Sequence, residues 1–337
     1  MQTEVNCACR TKENFMLARL IATTAIIVAL SAPASAYMAY ISNEKDNSIS
    51  VIDLDTLAVV RTIKTGQRPR GITLTSDGAT ILVCLGDDDT IQMFDAKTGE
   101  VTGNLPSGPD PELLILDRTT DLLYVSNEND NMVTAIDVKK RQVVIEIPVG
   151  VEPEGMGLSP DGKMIVNTSE TTNMAHFIDT TTRQIVGNVL VGARPRYAEF
   201  KHDGSEVWVT SEVGGGVAVI DPKKFEITKK IVFEVPGLRK ESIQPVGVRF
   251  TKDDKLAFVA LGPANRLAII DTKTYAVLKY LLVGQRVWQL AFTPDEKYLL
   301  STNGISNDVS IVDVAAQKVV KSVQVGKFPW GVAISPK

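Results

Sequence analysis

Residues 124–163 read YVSNENDNMVTAIDVKKRQVVIEIPVGVEPEGMGLSPDGK, and with small variations this stretch recurs along most of the chain. Its apolar runs are short and rich in valine and isoleucine. Turn-forming clusters separate them: SNENDN, DVKKRQ, VGVEPEG and SPDG. β-Branched runs bounded by Gly, Pro, Asn and Asp predict strands joined by tight turns, here four strands and four connections per unit.

The clearest marker of the repeat is an apolar pair followed by aspartate, at Asp53, Asp95, Asp137, Asp179, Asp221, Asp271 and Asp313. Successive markers lie 42 residues apart, except for one interval of 50. Thirteen residues after six of them stands a glycine (Gly66, Gly108, Gly150, Gly192, Gly284, Gly326), and sixteen after five stands a proline (Pro69, Pro111, Pro153, Pro195, Pro329). Pro245 joins this series once an insertion of eight residues, within VPGLRKESIQP, is allowed for. A period of about 40–45 residues with four strands per unit is the signature of a β-propeller blade. The aspartates recur in every unit, which marks them as turn formers rather than chemistry.

The ends of the chain complete the count. AYISNE after residue 36 matches the second strand of a unit, and the terminal GVAISPK matches the first. The expected fold is all-β: one domain, residues 37–337, of seven four-stranded blades, closed by pairing the C-terminal strand with the N-terminal three. Closure removes the free sheet edges that invite aggregation. The insertion between Val235 and Pro245 is expected to form a surface loop ahead of the sixth inner strand.

Residues 1–36 read differently. From Met16 the sequence runs MLARLIATTAIIVALSAPASA, with Arg19 ahead of an apolar stretch and Ala34-Ser35-Ala36 as a small-residue cleavage site. This is the pattern of a secretory signal peptide, with Met16 as the expected start and cutting after Ala36. The apolar stretch, Leu20 to Leu30, is too short for a bilayer, which needs about 20 residues. The expectation is therefore a periplasmic or secreted protein with no membrane span after cleavage. The mature chain would keep one cysteine, Cys84, read as a small core residue in ILVCL. The whole chain carries a formal charge of −4, and loss of residues 1–36 makes it about −5. Such a surface has no general attraction for nucleic acid.

Motifs for haem, zinc, phosphate or dinucleotide binding do not occur, and no cofactor is expected. The two histidines, His176 and His202, have no partner at metal-ligand spacing, and no metal site is assigned. What remains is geometric. Each Gly-x-x-Pro turn leads into an innermost strand, so its side chains crowd one mouth of the central channel, the usual place for a propeller ligand. Around the ring these turns offer Arg68 and Arg70, Asp110 and Glu112, Glu152 and Glu154, Arg194 and Arg196, Gln244, Arg286 and Trp288, then Phe328 and Trp330. Glu44, Glu128, Glu170 and Glu212, each nine residues before its marker aspartate, belong to the same mouth. Arg70, Glu112, Glu154, Arg196, Arg286, Trp288 and Trp330 are the candidate binding residues. Arginines beside aromatics can grip a carboxylate and stack a planar group. Alternatively the charges pair with one another across neighbouring blades and hold the ring.

The units also resemble those of the YVTN family of β-propellers, through Tyr124-Val125-Ser126-Asn127, Val51-Ile52-Asp53, Val149-Gly150-Val151-Glu152-Pro153-Glu154-Gly155 and Ser159-Pro160-Asp161-Gly162-Lys163. Within it, SNEKDNSISVIDLDT near the start and KFPWGVAISP at the end look most like the propeller proteins associated with PQQ-dependent catabolism. That resemblance implies a periplasmic accessory protein beside quinoprotein alcohol oxidation, without established catalytic residues. The expected partners are a periplasmic quinoprotein or a small anionic ligand. Three tryptophans and seven units differ from the eight-bladed, tryptophan-bearing pattern of the oxidases themselves. The alternative is an enzyme on the same fold, either a lactonase holding a divalent cation with Glu112, Glu154 and Glu170 or a dehydrogenase subunit.

Overall fold

The computed structural model describes residues 37–336. The expected signal segment and its cleavage site lie outside the described residues. Twenty-eight strands, β1–β28, form seven four-stranded antiparallel sheets. The first blade joins β28 (Pro329–Ile334) to β1 (Met38–Asn43), β2 (Ser48–Asp53) and β3 (Ala58–Lys64). The others follow in chain order: β4–β7 over residues 69–106, β8–β11 over 111–148, β12–β15 over 153–190, β16–β19 over 195–232, β20–β23 over 248–282 and β24–β27 over 287–324. The protein is a seven-bladed β-propeller. No helix among the described residues is long and apolar enough to cross a membrane.

Closure is the pairing the sequence predicts. Ala39, Tyr40 and Ile41 stand opposite Ile334, Ala333 and Val332. Ser335 N–H donates to the Met38 carbonyl at 2.8 Å, and the Met38 N–H donates to Ser335 Oγ at 2.9 Å. Each marker aspartate closes the turn after the third strand of its blade: Asp53 Oδ1 accepts the N–H groups of Asp55 (2.9 Å) and Thr56 (2.8 Å), an Asx turn that recurs around the ring. The bonds from Thr56 hold the Asp53 carboxyl below the usual range.

The middle strands of each blade are buried on both faces, which explains their continuous apolar runs. Cys84 lies fully buried in β5 (Thr80–Leu85). Near the axis the inner strands of neighbouring blades approach so closely that some positions admit only glycine. A Cβ on Gly71 would sit 2.5 Å from the Glu112 carbonyl oxygen, and one on Gly155 would sit 2.7 Å from that of Arg196.

The sixth blade departs from the others. Its inner strand β20 (Val248–Phe250) has three residues and starts after Pro245, where the other inner strands begin at the proline or its equivalent. The inserted segment explains this. It is a surface loop with Leu238 exposed, pinned by buried Val235 and Ile243, which join the core beside Val246.

Because backbone at Gly155 cannot retreat, Gly155→Ala should lower stability by about 1–3 kcal/mol. Thermal melting of the variant against wild type checks this, and an unchanged midpoint would refute the close-approach argument.

Candidate functional site

Six residues ahead of inner strands adopt left-handed backbone: Arg68 (φ 56°), Asp110 (54°), Glu152 (56°), Arg194 (54°), Arg286 (59°) and Phe328 (58°). A side chain in this region costs about 1–2 kcal/mol, so something must hold it there. In each case the backbone N–H donates to a side-chain oxygen of the preceding blade: Asn47 (3.0 Å), Asp89 (2.9 Å), Asn131 (3.2 Å), Asn173 (3.0 Å), Asn265 (2.9 Å) and Asn307 (2.8 Å). These clamp residues are themselves left-handed, a conformation that Asn and Asp tolerate best. Where Gly215 occupies the clamp position, before the insertion, the device is missing and Gln244 is not left-handed.

A second contact brings in the loop between the middle strands. The N–H of Glu128 donates to the Asp110 carbonyl (2.9 Å), that of Glu170 to Glu152 (2.8 Å), that of Glu212 to Arg194 (2.8 Å) and that of Glu44 to Phe328 (3.0 Å). Gly86 and Gly304 make the same bond to Arg68 and Arg286. Their missing side chains leave room for the Arg68 guanidinium and the Trp288 indole. One part of the mouth is therefore lined with carboxylates and another with arginine and tryptophan.

Five of the seven candidate residues, Arg70, Glu154, Arg196, Arg286 and Trp288, line this opening, Glu112 and Trp330 are buried, and the charged ones pair between blades as a lattice. Arg70 Nη1 donates to Glu112 Oε2 at 2.5 Å, and its guanidinium lies 5.7 Å from the Trp330 ring. Arg68 Nη2 reaches the other Glu112 oxygen at 3.1 Å and also binds Asp110. Arg196 is the hub: it contacts Glu154 at 2.6 Å, Glu170, and Glu212 at 3.7 Å, with 4% of its side chain exposed. Arg286 bonds Glu212 at 2.5 Å and Gln244 at 2.7 Å and stacks 4.1 Å from the Trp288 ring centre. Arg194, half exposed, bridges Glu170 (2.8 Å) and Glu212 (3.2 Å).

Above this lattice lies a cavity of about 330 Å³ walled by Arg68, Arg70, Asp110, Glu128, Glu154, Arg194, Arg196, Glu212, Arg286 and Trp288. Glu112 and Trp330, fully buried, support the wall from behind. The clamp asparagines escaped the sequence reading although the signal was present: Asn or Asp stands six residues before every marker aspartate except Asp221.

Carboxylates outnumber guanidiniums here, and the surplus shows in their protonation. Burial pushes the Glu128 carboxyl up to about 7, helped by Glu112 and Glu170 and opposed by Arg70. Burial also raises Glu154 well above the carboxylate range; Arg196 opposes the shift, and Glu170 adds to it. Burial alone would depress Arg70 and Arg196, but their carboxylate partners outweigh it and hold both guanidiniums firmly charged.

Asp110, Glu112 and Glu128 bring carboxylate oxygens within 4.8 Å of one another. They do not fit a divalent cation as they stand, because both Glu112 oxygens are taken by Arg68 and Arg70 and Asp110 is bound by Arg68. Glu154 and Glu170, the other metal ligands considered from sequence, share Arg196. A metal would have to displace guanidinium groups that are already bonded.

Comparisons agree on the architecture. A family of YNCE-like β-propellers matches residues 6–122, about a third of the chain. No curated protein matches. Among solved structures, hydrazine synthase of Kuenenia stuttgartiensis superposes with a TM-score of 0.73 at 20% identity, covering 82% of this chain and 92% of that one. A functionally unknown protein from Desulfotomaculum acetoxidans DSM 771 gives 0.75 at 16% identity over 88% and 98%. The dihydro-heme d1 dehydrogenase NirN in complex with DHE gives 0.66 at 15% identity over 88% and 74%. At these identities the likeness is one of fold.

The lattice makes two checks available. Arg196→Ala leaves buried Glu154 without a guanidinium and removes one from Glu170 and Glu212, and should cost about 3–5 kcal/mol, whereas Arg194→Ala, at a half-exposed guanidinium whose partners keep other arginines, should cost at most about 1 kcal/mol; urea denaturation of both variants compares them. For Glu128, the folded pKa of about 7 stands above the usual 4.5, so the folded state keeps the proton longer than the unfolded chain. Its contribution is therefore full at low pH and lost as pH rises through 7. Glu128→Gln should flatten the fall in stability between pH 5 and 8, and an unaltered pH profile would contradict the assignment.

Proposed function

We propose that this propeller is an exported, periplasmic or secreted binding protein that works without catalysing a reaction, as an accessory to quinoprotein-dependent alcohol oxidation. The observation that carries the binding role is the composition of the mouth cavity. All ten residues around it are Arg, Asp, Glu or Trp. That wall supplies charge, hydrogen-bond donors and a stacking surface, but no nucleophile paired with a base and no open metal-ligand set. The export pattern and the likeness to PQQ-associated propellers supply the compartment and the pathway.

The guest is a small anion or an acidic loop of a partner quinoprotein. Arg194 and Arg286 are the donors best placed for it. Arg194 is the most exposed guanidinium of the lattice, and Arg286 presents its face beside Trp288. Both already share Glu212, which holds them in position before a guest arrives and lowers the ordering cost of binding.

A thermal-shift series with PQQ, short carboxylic acids, calcium and purified periplasmic quinoproteins tests this. PQQ, an acid or a quinoprotein should raise the melting temperature of wild type, and Arg194→Ala should reduce that rise while keeping the fold. Stabilisation by calcium alone would favour the metalloenzyme instead, and no shift with any anion or quinoprotein would remove the proposed role.

A further inference from the structure

The opposite opening of the ring holds a larger cavity, about 640 Å³, lined by inner-strand residues and by the turns that follow them. Its walls are mixed, with Ile72, Leu158 and Phe292 among the apolar residues and Thr73, Arg118 and Gln289 among the polar ones. Blades five and six contribute a polar group to it: Tyr197, Glu199, His202 and Arg249. From this arrangement we infer a second binding site, for a small carboxylic acid with an apolar body.

Arg249 is the centre of the site. Its guanidinium lies over the Tyr197 ring at 4.6 Å, and Tyr197 is itself buried. Its hydrogen bonds to Glu199 Oε2 (3.1 Å) and to the Val248 carbonyl (2.9 Å) use Nη1 alone. Tyr197 also interacts with the guanidinium, and the Nη2–Nε edge is the part that a planar carboxylate would match bidentately. About a quarter of the Arg249 side chain is exposed, and the residue lines the cavity.

The charges around Arg249 are mixed, so recognition of an acid rests on the guanidinium fork itself. His202 is held by Asp254, whose Oδ1 lies 2.8 Å from Nδ1 and accepts the His202 backbone N–H at 2.9 Å, so Nε2 points away from this partner. Arg118 stands at the same opening. Of the acids nearby, Asp117 is satisfied by the hydroxyls of Thr119 (2.7 Å) and Thr120 (2.6 Å), and Asp254 is engaged by the His202 turn. Glu199 is the single carboxylate beside Arg249, and burial raises its pKa despite the pull of that guanidinium. A carboxylate accepted by Arg249 would leave its apolar part among the apolar wall residues of the cavity. Apolar surface beside a few convergent polar groups is the usual form of a small-molecule site.

The site is separate from the mouth and does not depend on the function proposed there. Titration calorimetry with benzoate tests it in the Arg194→Ala protein, whose mouth is impaired for anions, using benzamide and inorganic phosphate as comparison probes. Benzoate should bind saturably, and benzamide and phosphate should not. Arg249→Lys keeps the charge but loses the fork, and should weaken benzoate binding about tenfold. The paired replacement Arg249→Leu/Glu199→Leu removes both charges together, a change that buried pairs tolerate without unfolding, and should abolish binding. No saturable heat with benzoate, equal binding of phosphate, or unaltered affinity in the paired variant would each overturn the assignment.

Discussion

The hydrogen bond from each left-handed residue to an asparagine or aspartate of the preceding blade sets the geometry of the whole mouth. It is a single contact, but it works on two scales. Locally it offsets the strain of a backbone conformation that Arg, Glu and Phe would otherwise avoid. Across the ring it ties the loop of one blade to the inner strand of the next, so the side chains on either side of each proline are aimed by two blades at once. The sixth blade supplies the contrast. There a glycine replaces the clamp, the inner strand starts late, and an inserted loop fills the space.

With the backbone fixed in this way, the charged residues have little freedom left, and their pairing follows from counting. Arg196 alone faces Glu154, Glu170 and Glu212, while Arg68 and Arg70 converge on Glu112. Acids exceed bases, and Glu128 and Glu154 keep their protons to higher pH than an ordinary carboxylate. The two readings offered by the sequence, a ligand grip and a structural lattice, are therefore not exclusive. Buried arginines such as Arg196 hold the ring, and the half-exposed Arg194 is the one free enough to serve the proposed guest.

The fold was legible because its causes repeat. A strand, a turn or an Asx aspartate has the same physical job in every blade, so a period of 42 residues exposes it even at low similarity between units. The location of the mouth followed from the same period. What could not be read was the division of labour within it, since whether Arg196 is buried or Arg194 exposed depends on three neighbouring blades. The clamp asparagines show a different failure. They were periodic and visible, but a polar residue in a turn has an ordinary local explanation, and nothing in one copy reveals that its partner lies 21 residues further on in the next blade.

The distinction between repeated and unrepeated positions carries one step further. Along each inner strand the proline and the close-approach glycines are shared by several blades, because they serve contacts that every blade must make. Tyr197, Glu199 and Arg249 have no such counterparts: the positions equivalent to Glu199 and Arg249 hold Thr73, Ile115, Gly157, Ala291 and Ala333. A stacked and ion-paired arginine is not required for ring closure, since five blades do without it. In a repeat protein, structure accounts for what recurs, and a costly polar group that appears once, facing a cavity, calls for a cause outside the repeat. By that criterion the far end of the channel is as informative as the mouth, although its residues form no motif along the sequence.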